Sequence, residues 1–149
     1  MTSRLISVRL AAALALAAGF AAAAHADDSA ALAAAAKEPG AVVSASGVVF
    51  KSIKEGTGAS PKATDTVKVY YSGSFPGGKV FDASKPGDPI SFPLNRVIPC
   101  WTEGVQKLKV GGKGKLTCPS AAAYGPRGAG GVIPPNATLV FEVELLAIN

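Results

Sequence analysis

The chain changes character near Gly47. From there on apolar and polar residues alternate in short runs separated by Gly- and Pro-rich breaks. The clearest run is the last. Leu139, Phe141, Val143 and Leu145 fall on one side, with Val140, Glu142 and Glu144 on the other, which predicts an antiparallel strand with one buried and one wetter face. Val67, Val69 and Tyr71 share a face of a second strand over residues 67–72. Residues 113–118 alternate again, with Leu116 and Cys118 opposite Lys115 and Thr117. Shorter runs at Val48–Ile53 and Val80-Phe81 add strands, the latter after the turn signal Pro76-Gly77-Gly78. One stretch has helical spacing instead. Trp101, Val105 and Leu108 make an apolar stripe, Lys107 and Lys109 suit the last turn, and Gly111-Gly112 ends it. The expected architecture is α+β, a twisted antiparallel sheet around one short helix.

The preceding residues follow other rules. Ala fills 17 of the first 36 positions. Residues 1–26 predict a signal peptide: Arg4 and Arg9 are its charges, Leu10 to Ala24 its apolar run, and Ala24-His25-Ala26 its cleavage site. An uncleaved membrane anchor is the competing reading, but the apolar stretch is shorter than the roughly 20 residues of a bilayer span. Residues 27–46 read as an Ala-rich flexible tail or linker, in which Asp27 to Lys37 could form a turn or two of helix ended by Pro39-Gly40, leaving 47–149 as the folded domain. No Cys lies near the cleavage point to carry a lipid, so the expected location is a soluble one across the inner membrane, most simply the periplasm.

Cleavage alters the chemistry available. The formal charge of +5 falls to +3 with Arg4 and Arg9 removed, too mild to predict a nucleic-acid partner. His25, the single histidine, leaves with the address. That excludes Ser-His-Asp and Cys-His catalysis and His-ligated metals, so neither a metal nor a cofactor is expected. Cys100 and Cys118 show no C-x-x-C redox spacing. Cys100 opens the helix and Cys118 ends a strand that should pack near it, so a disulfide is expected in an exported chain, with two small buried thiols as the alternative.

Five motifs in order resemble those of the FKBP-type peptidyl-prolyl isomerases. They are Val69-Tyr70-Tyr71-Ser72-Gly73, Gly78-Lys79-Val80-Phe81-Asp82-Ala83-Ser84, Val97-Ile98-Pro99-Cys100-Trp101-Thr102-Glu103-Gly104-Val105, Ala123-Tyr124-Gly125, and residues 133–145 from Ile133-Pro134-Pro135 through the last strand. The resemblance spans about residues 47–147 and implies a half-barrel sheet wrapped around the helix. It implies cis/trans rotation about X-Pro bonds, a reaction that breaks no covalent bond. By motif match Trp101 would floor a substrate pocket, with Tyr71, Phe81, Val97, Ile98, Ile133 and Phe141 as its walls. Ile90 would stand where many relatives carry a second aromatic wall. Tyr124 would donate its phenol to a substrate carbonyl, and Asp82 would act electrostatically or orient its neighbours.

Taken singly, Trp101, Tyr71 and Phe141 read as core, and Asp82 as a turn residue. Both readings coexist if the pocket is an unfilled extension of the core. The Gly125–Gly131 loop lacks bulky groups and is expected to be mobile, and Arg96 puts a cation at the rim. The resemblance implies proline-containing polypeptides as partners, macrolide immunosuppressant-type ligands as further occupants, and a monomer. A non-catalytic peptide-binding or chaperone module on the same fold is the competing function.

Overall fold

The computed structural model describes residues 30–149; the predicted signal peptide, with its cleavage site and His25, lies outside the described residues, as do residues 27–29 of the tail. Seven strands form one antiparallel sheet: β1 (Ala41–Val43), β2 (Val49–Lys54), β3 (Thr66–Ser74), β4 (Val80–Ala83), β5 (Ile90–Pro93), β6 (Lys113–Cys118) and β7 (Leu139–Ile148). Their order is β1-β2-β6-β7-β3-β4. One edge of β3 is shared, because β5 pairs with its first half and β4 with its second. Residues 30–36 are helical (α1), and α2 (Pro99–Val105) lies against the sheet.

The alternation in the sequence is the alternation of burial. Leu139, Phe141, Val143 and Leu145 of β7 are all buried, as are Val67 and Val69 of β3 and Leu116 and Cys118 of β6. On the opposite face β7 sets Glu142 against Lys115 and Glu144 against Lys113, opposite charges in cross-strand register. A register shift between Lys68 and Val69, where β3 meets β7, adds bend to the longest pairing in the sheet.

Helix α2 covers the apolar face. Cys100, Trp101, Gly104 and Val105 are its buried residues. Gly104 is required there, since a Cβ would stand 2.3 Å from a methyl of Leu116 on β6. The helix is shorter than its apolar stripe predicts. Lys107 N–H donates to Gly104 O and Leu108 N–H to Val105 O, three-residue bonds that tighten the chain out of α geometry after Val105. Leu108 is still buried, but as part of the following turn. Lys107 and Lys109 therefore lie beyond the helix, and Gly111-Gly112 instead turns the chain into β6. Gly111 N–H donates to Leu145 O, and Leu145 N–H donates to Gly112 O.

Cys100 and Cys118 form the disulfide expected between helix and strand, with Cα atoms 5.8 Å apart and both residues fully buried. The tail reading changes most. Ala41–Val43 pair with Val49–Lys51 as an edge strand, Ala35 is buried, and the Glu38 carboxylate meets Lys115 Nζ at 2.8 Å and Lys51 Nζ at 3.5 Å. Ordered structure thus begins ahead of Gly47. It crosses the wetter face of β2 and β6, where Thr117, expected on that side, is buried. Helix α1 is the turn or two of helix expected within the Ala-rich stretch.

A disulfide closing a loop of 18 residues stabilises by about 3 kcal/mol in the chain-entropy account. The Cys100→Ala/Cys118→Ala variant should lose about that much in urea unfolding, which would appear as a lower midpoint; an unchanged midpoint would show that the bridge does not constrain the unfolded chain.

Candidate active site

The apolar face between α2 and the β3–β4–β7 side of the sheet is incompletely filled. It leaves a cavity of about 460 Å³. Tyr71, Phe81, Phe92 and Phe141 reach it from four strands, Val97 and Ile98 from the turn before α2, and Trp101 from the helix. Asp82, Arg96 and Tyr124 supply the polar groups.

Trp101 is the centre of this arrangement. Its ring lies 5.3 Å from Tyr71, 5.3 Å from Phe92 and 5.5 Å from Phe141, each at 77–88° to it. Edge-to-face contacts of this kind match positive ring edges to negative faces. Trp101 is only 4% exposed. Phe81 packs edge-on to Phe141 at 5.8 Å. Gly73, opposite Phe141 in the β3–β7 register, has no room for a side chain, since a Cβ would stand 2.7 Å from both Phe141 and Phe81. The absent side chain lets these two rings approach.

The polar groups differ in how they are engaged. Tyr71 Oη donates to Asp82 Oδ2 at 2.7 Å. Burial and this bond to a carboxylate push the Tyr71 phenol far above its ordinary range, so it remains a neutral donor committed to Asp82. The backbone of Tyr71 is held as well: its N–H donates to Ser84 Oγ at 2.9 Å, and its carbonyl accepts from Ser84 N–H at 2.9 Å. Tyr124 stands in contrast. It is 39% exposed, and its hydroxyl has no hydrogen-bond partner among the described residues.

The structure brings together Tyr71, Phe81, Asp82, Val97, Ile98, Trp101, Tyr124 and Phe141 as expected, and places two residues elsewhere. Ile90 does not line the cavity. It opens β5 opposite Val69 and is 36% exposed, while Phe92, two residues on and opposite Val67, supplies the aromatic wall. The two share a strand face, but only Phe92 reaches Trp101. Ile133 is buried in the core and lines a neighbouring cavity, because Ala129 and Ile133 pair through their backbones and fold the loop back. The same pairing, with Asn136 N–H donating to Gly125 O, ties the loop expected to be mobile. Sequence reasoning missed Phe92 and Ser84. The lone aromatic of the Ile90-Ser91-Phe92-Pro93 run, two residues after Ile90 and so on the same strand face, was the available signal for the first.

An antiparallel sheet closed by one helix over an aromatic cavity, with a phenol–carboxylate pair at its edge, forms a concave apolar site with a few convergent polar groups. A family model described as FKBP-type peptidyl-prolyl cis-trans isomerase matches residues 58–146, and the chain belongs to that family. It is 57% identical over 119 residues to the FKBP-type isomerase FkpA of Aeromonas hydrophila, covering 79% of this chain and 44% of that one. It is 51% identical over 114 residues to the FKBP-type 22 kDa isomerase of Escherichia coli, covering 76% and 55%. Among solved structures, FkpA from Escherichia coli superposes with a TM-score of 0.82 at 46% identity, covering 87% of this chain and 61% of that one. A peptidyl-prolyl isomerase from Pseudomonas syringae gives 0.80 at 39%, covering 86% and 95%. The chain spans about half the length of the curated relatives it matches.

The raised Tyr71 pKa has a definite sign. Below the unfolded phenol value of about 10 its contribution to stability is complete, and it is lost as pH rises beyond that value toward the folded one. Subtracting the alkaline absorbance titration of Tyr71→Phe from that of the wild type should leave one phenol that ionises well above pH 10. A midpoint at or below 10 would contradict the part-buried, bonded phenol.

Proposed function

We propose that this chain accelerates cis/trans isomerisation of X-Pro bonds in exported polypeptides. The observation that carries the reading is the aromatic-lined cavity over Trp101, with one unengaged phenol, Tyr124, at its mouth. The uncatalysed barrier is roughly 18–20 kcal/mol, because rotation forfeits amide resonance. The twisted transition state has less charge separation than the planar amide, and water favours the planar form. Transfer into an apolar cavity therefore lowers the barrier without any bond being made or broken.

Each side chain then has a definite task. Trp101 is the floor for the pyrrolidine ring. Tyr71, Phe81, Phe92, Val97, Ile98 and Phe141 exclude water from the bond. Tyr124 donates to the substrate carbonyl. Asp82 acts mainly through Tyr71, fixing the wall, and sets a negative charge beside the rotating carbonyl. The reaction calls for no cofactor.

The same reading extends to the setting. Residues 1–26 are an export signal, and the mature protein works in the periplasm as a monomer, where slow proline isomerisation limits the folding of newly exported chains. Among the described residues no helix is long and apolar enough to cross a membrane. The cavity also suits macrolide immunosuppressant-type ligands, which present an apolar ring and carbonyls to the same surfaces.

The test is relaxation of a short proline peptide from cis to trans, with and without the protein. Acceleration is expected at micromolar protein. Its absence, with peptide binding retained, would instead support a non-catalytic peptide-binding module. Tyr124→Phe removes one neutral hydrogen bond and should reduce kcat/KM about 2–10-fold. Asp82→Asn weakens a charge-assisted bond and should reduce it about tenfold. Wild-type rates in both variants would reject the polar assignments.

A further inference from the structure

A second cavity, about 610 Å³, lies beside the first. Phe75, Val132 and Ile133 line it, with Lys79 and Arg127 as its charged residues. The two cavities meet at a ring pair: Phe81 belongs to the first and Phe75 to the second, with centroids 5.1 Å apart. An apolar surface thus continues from the proline site into the neighbouring groove. Val132 is held out at the tip of the Ala129–Ile133 pairing and is 56% exposed, a large apolar residue left facing solvent. Phe75 N–H donates to Lys79 O at 2.9 Å, which fixes that cation's backbone beside the ring.

The charge of this groove has one sign. No acidic residue lines it, and neither Lys79 nor Arg127 makes an ion pair among the described residues. The acid on the adjoining wall, Asp82, is engaged by the Tyr71 hydroxyl and belongs to the first cavity.

We propose that the second cavity is a subsite for the client polypeptide, taking an apolar side chain next to an acidic one, within about five residues of the proline on one side. The apolar residue packs against Phe75 and Val132, while its acidic neighbour meets Lys79 and Arg127. The groove thereby gives the protein a preference among clients. This rests on the first cavity being the proline site.

The test uses a four-residue proline peptide and twelve-residue versions extended on either side with Leu-Glu, Leu-Gln or Leu-Lys. On one of the two sides, the Leu-Glu peptide should bind about tenfold more tightly than Leu-Lys at low ionic strength, and the difference should collapse at about 0.5 M salt. Lys79→Glu/Arg127→Glu should invert the order, and Lys79→Gln/Arg127→Gln should abolish it. Urea midpoints establish that both double variants fold. Equal affinities for all extensions, or a preference unchanged in the double variants, would overturn the subsite. If the four-residue peptide is not accelerated but the preference and its inversion persist, the isomerase reading fails and the subsite stands.

Discussion

The site depends on holding one indole in place. Trp101 sits on a helix of seven residues, too short to be stable on its own, so its position must come from outside the helix. Both neighbours supply it. Cys100 is bonded to Cys118 at the end of β6, and the hydroxyl of Thr102 donates to the carbonyl of Leu94 in the turn before the helix. Gly104 brings the helix backbone down onto Leu116. With the helix tied at these points, the rings of Tyr71, Phe92 and Phe141 stand on edge around Trp101 instead of stacking over it.

That arrangement lets a chain poor in catalytic side chains form the proposed site. The cavity is a continuation of the core: Trp101 and Phe141 are counted among its buried residues and also line the opening. The polar groups are divided between two functions. The Tyr71 phenol is spent on Asp82 and holds a wall, whereas the Tyr124 phenol faces the opening without a protein partner among the described residues. Two tyrosines in one pocket are distinguished by burial and hydrogen bonding, not by residue type.

Much of this was legible in the sequence where the signal was local and repeated. Period-two burial in β3, β6 and β7 follows from side chains pointing to alternate faces, and it located the core and the strands that carry Tyr71 and Phe141. The disulfide followed from the expected positions of the helix start and the end of β6. What was not legible depended on non-local contacts. β1 exists by pairing with β2, and its Ala-Val-Val run has no alternation to announce it. β5 is a four-residue edge strand, too short for its pattern to show which of Ile90 and Phe92 would reach Trp101. The end of α2 was misplaced because Leu108 continues the apolar stripe, whereas the backbone leaves α geometry after Val105. The motif resemblance supplied Asp82 and Tyr124, which composition and periodicity do not single out.

The central claim is that Trp101 is a contact surface for a bound proline as well as a core residue. The chain contains a single Trp, so its fluorescence reports on this one position. Titration with a short proline peptide should change the emission saturably, and the same peptide with alanine in place of proline should have little effect. Emission that is unaltered while the proline peptide demonstrably binds would contradict the account.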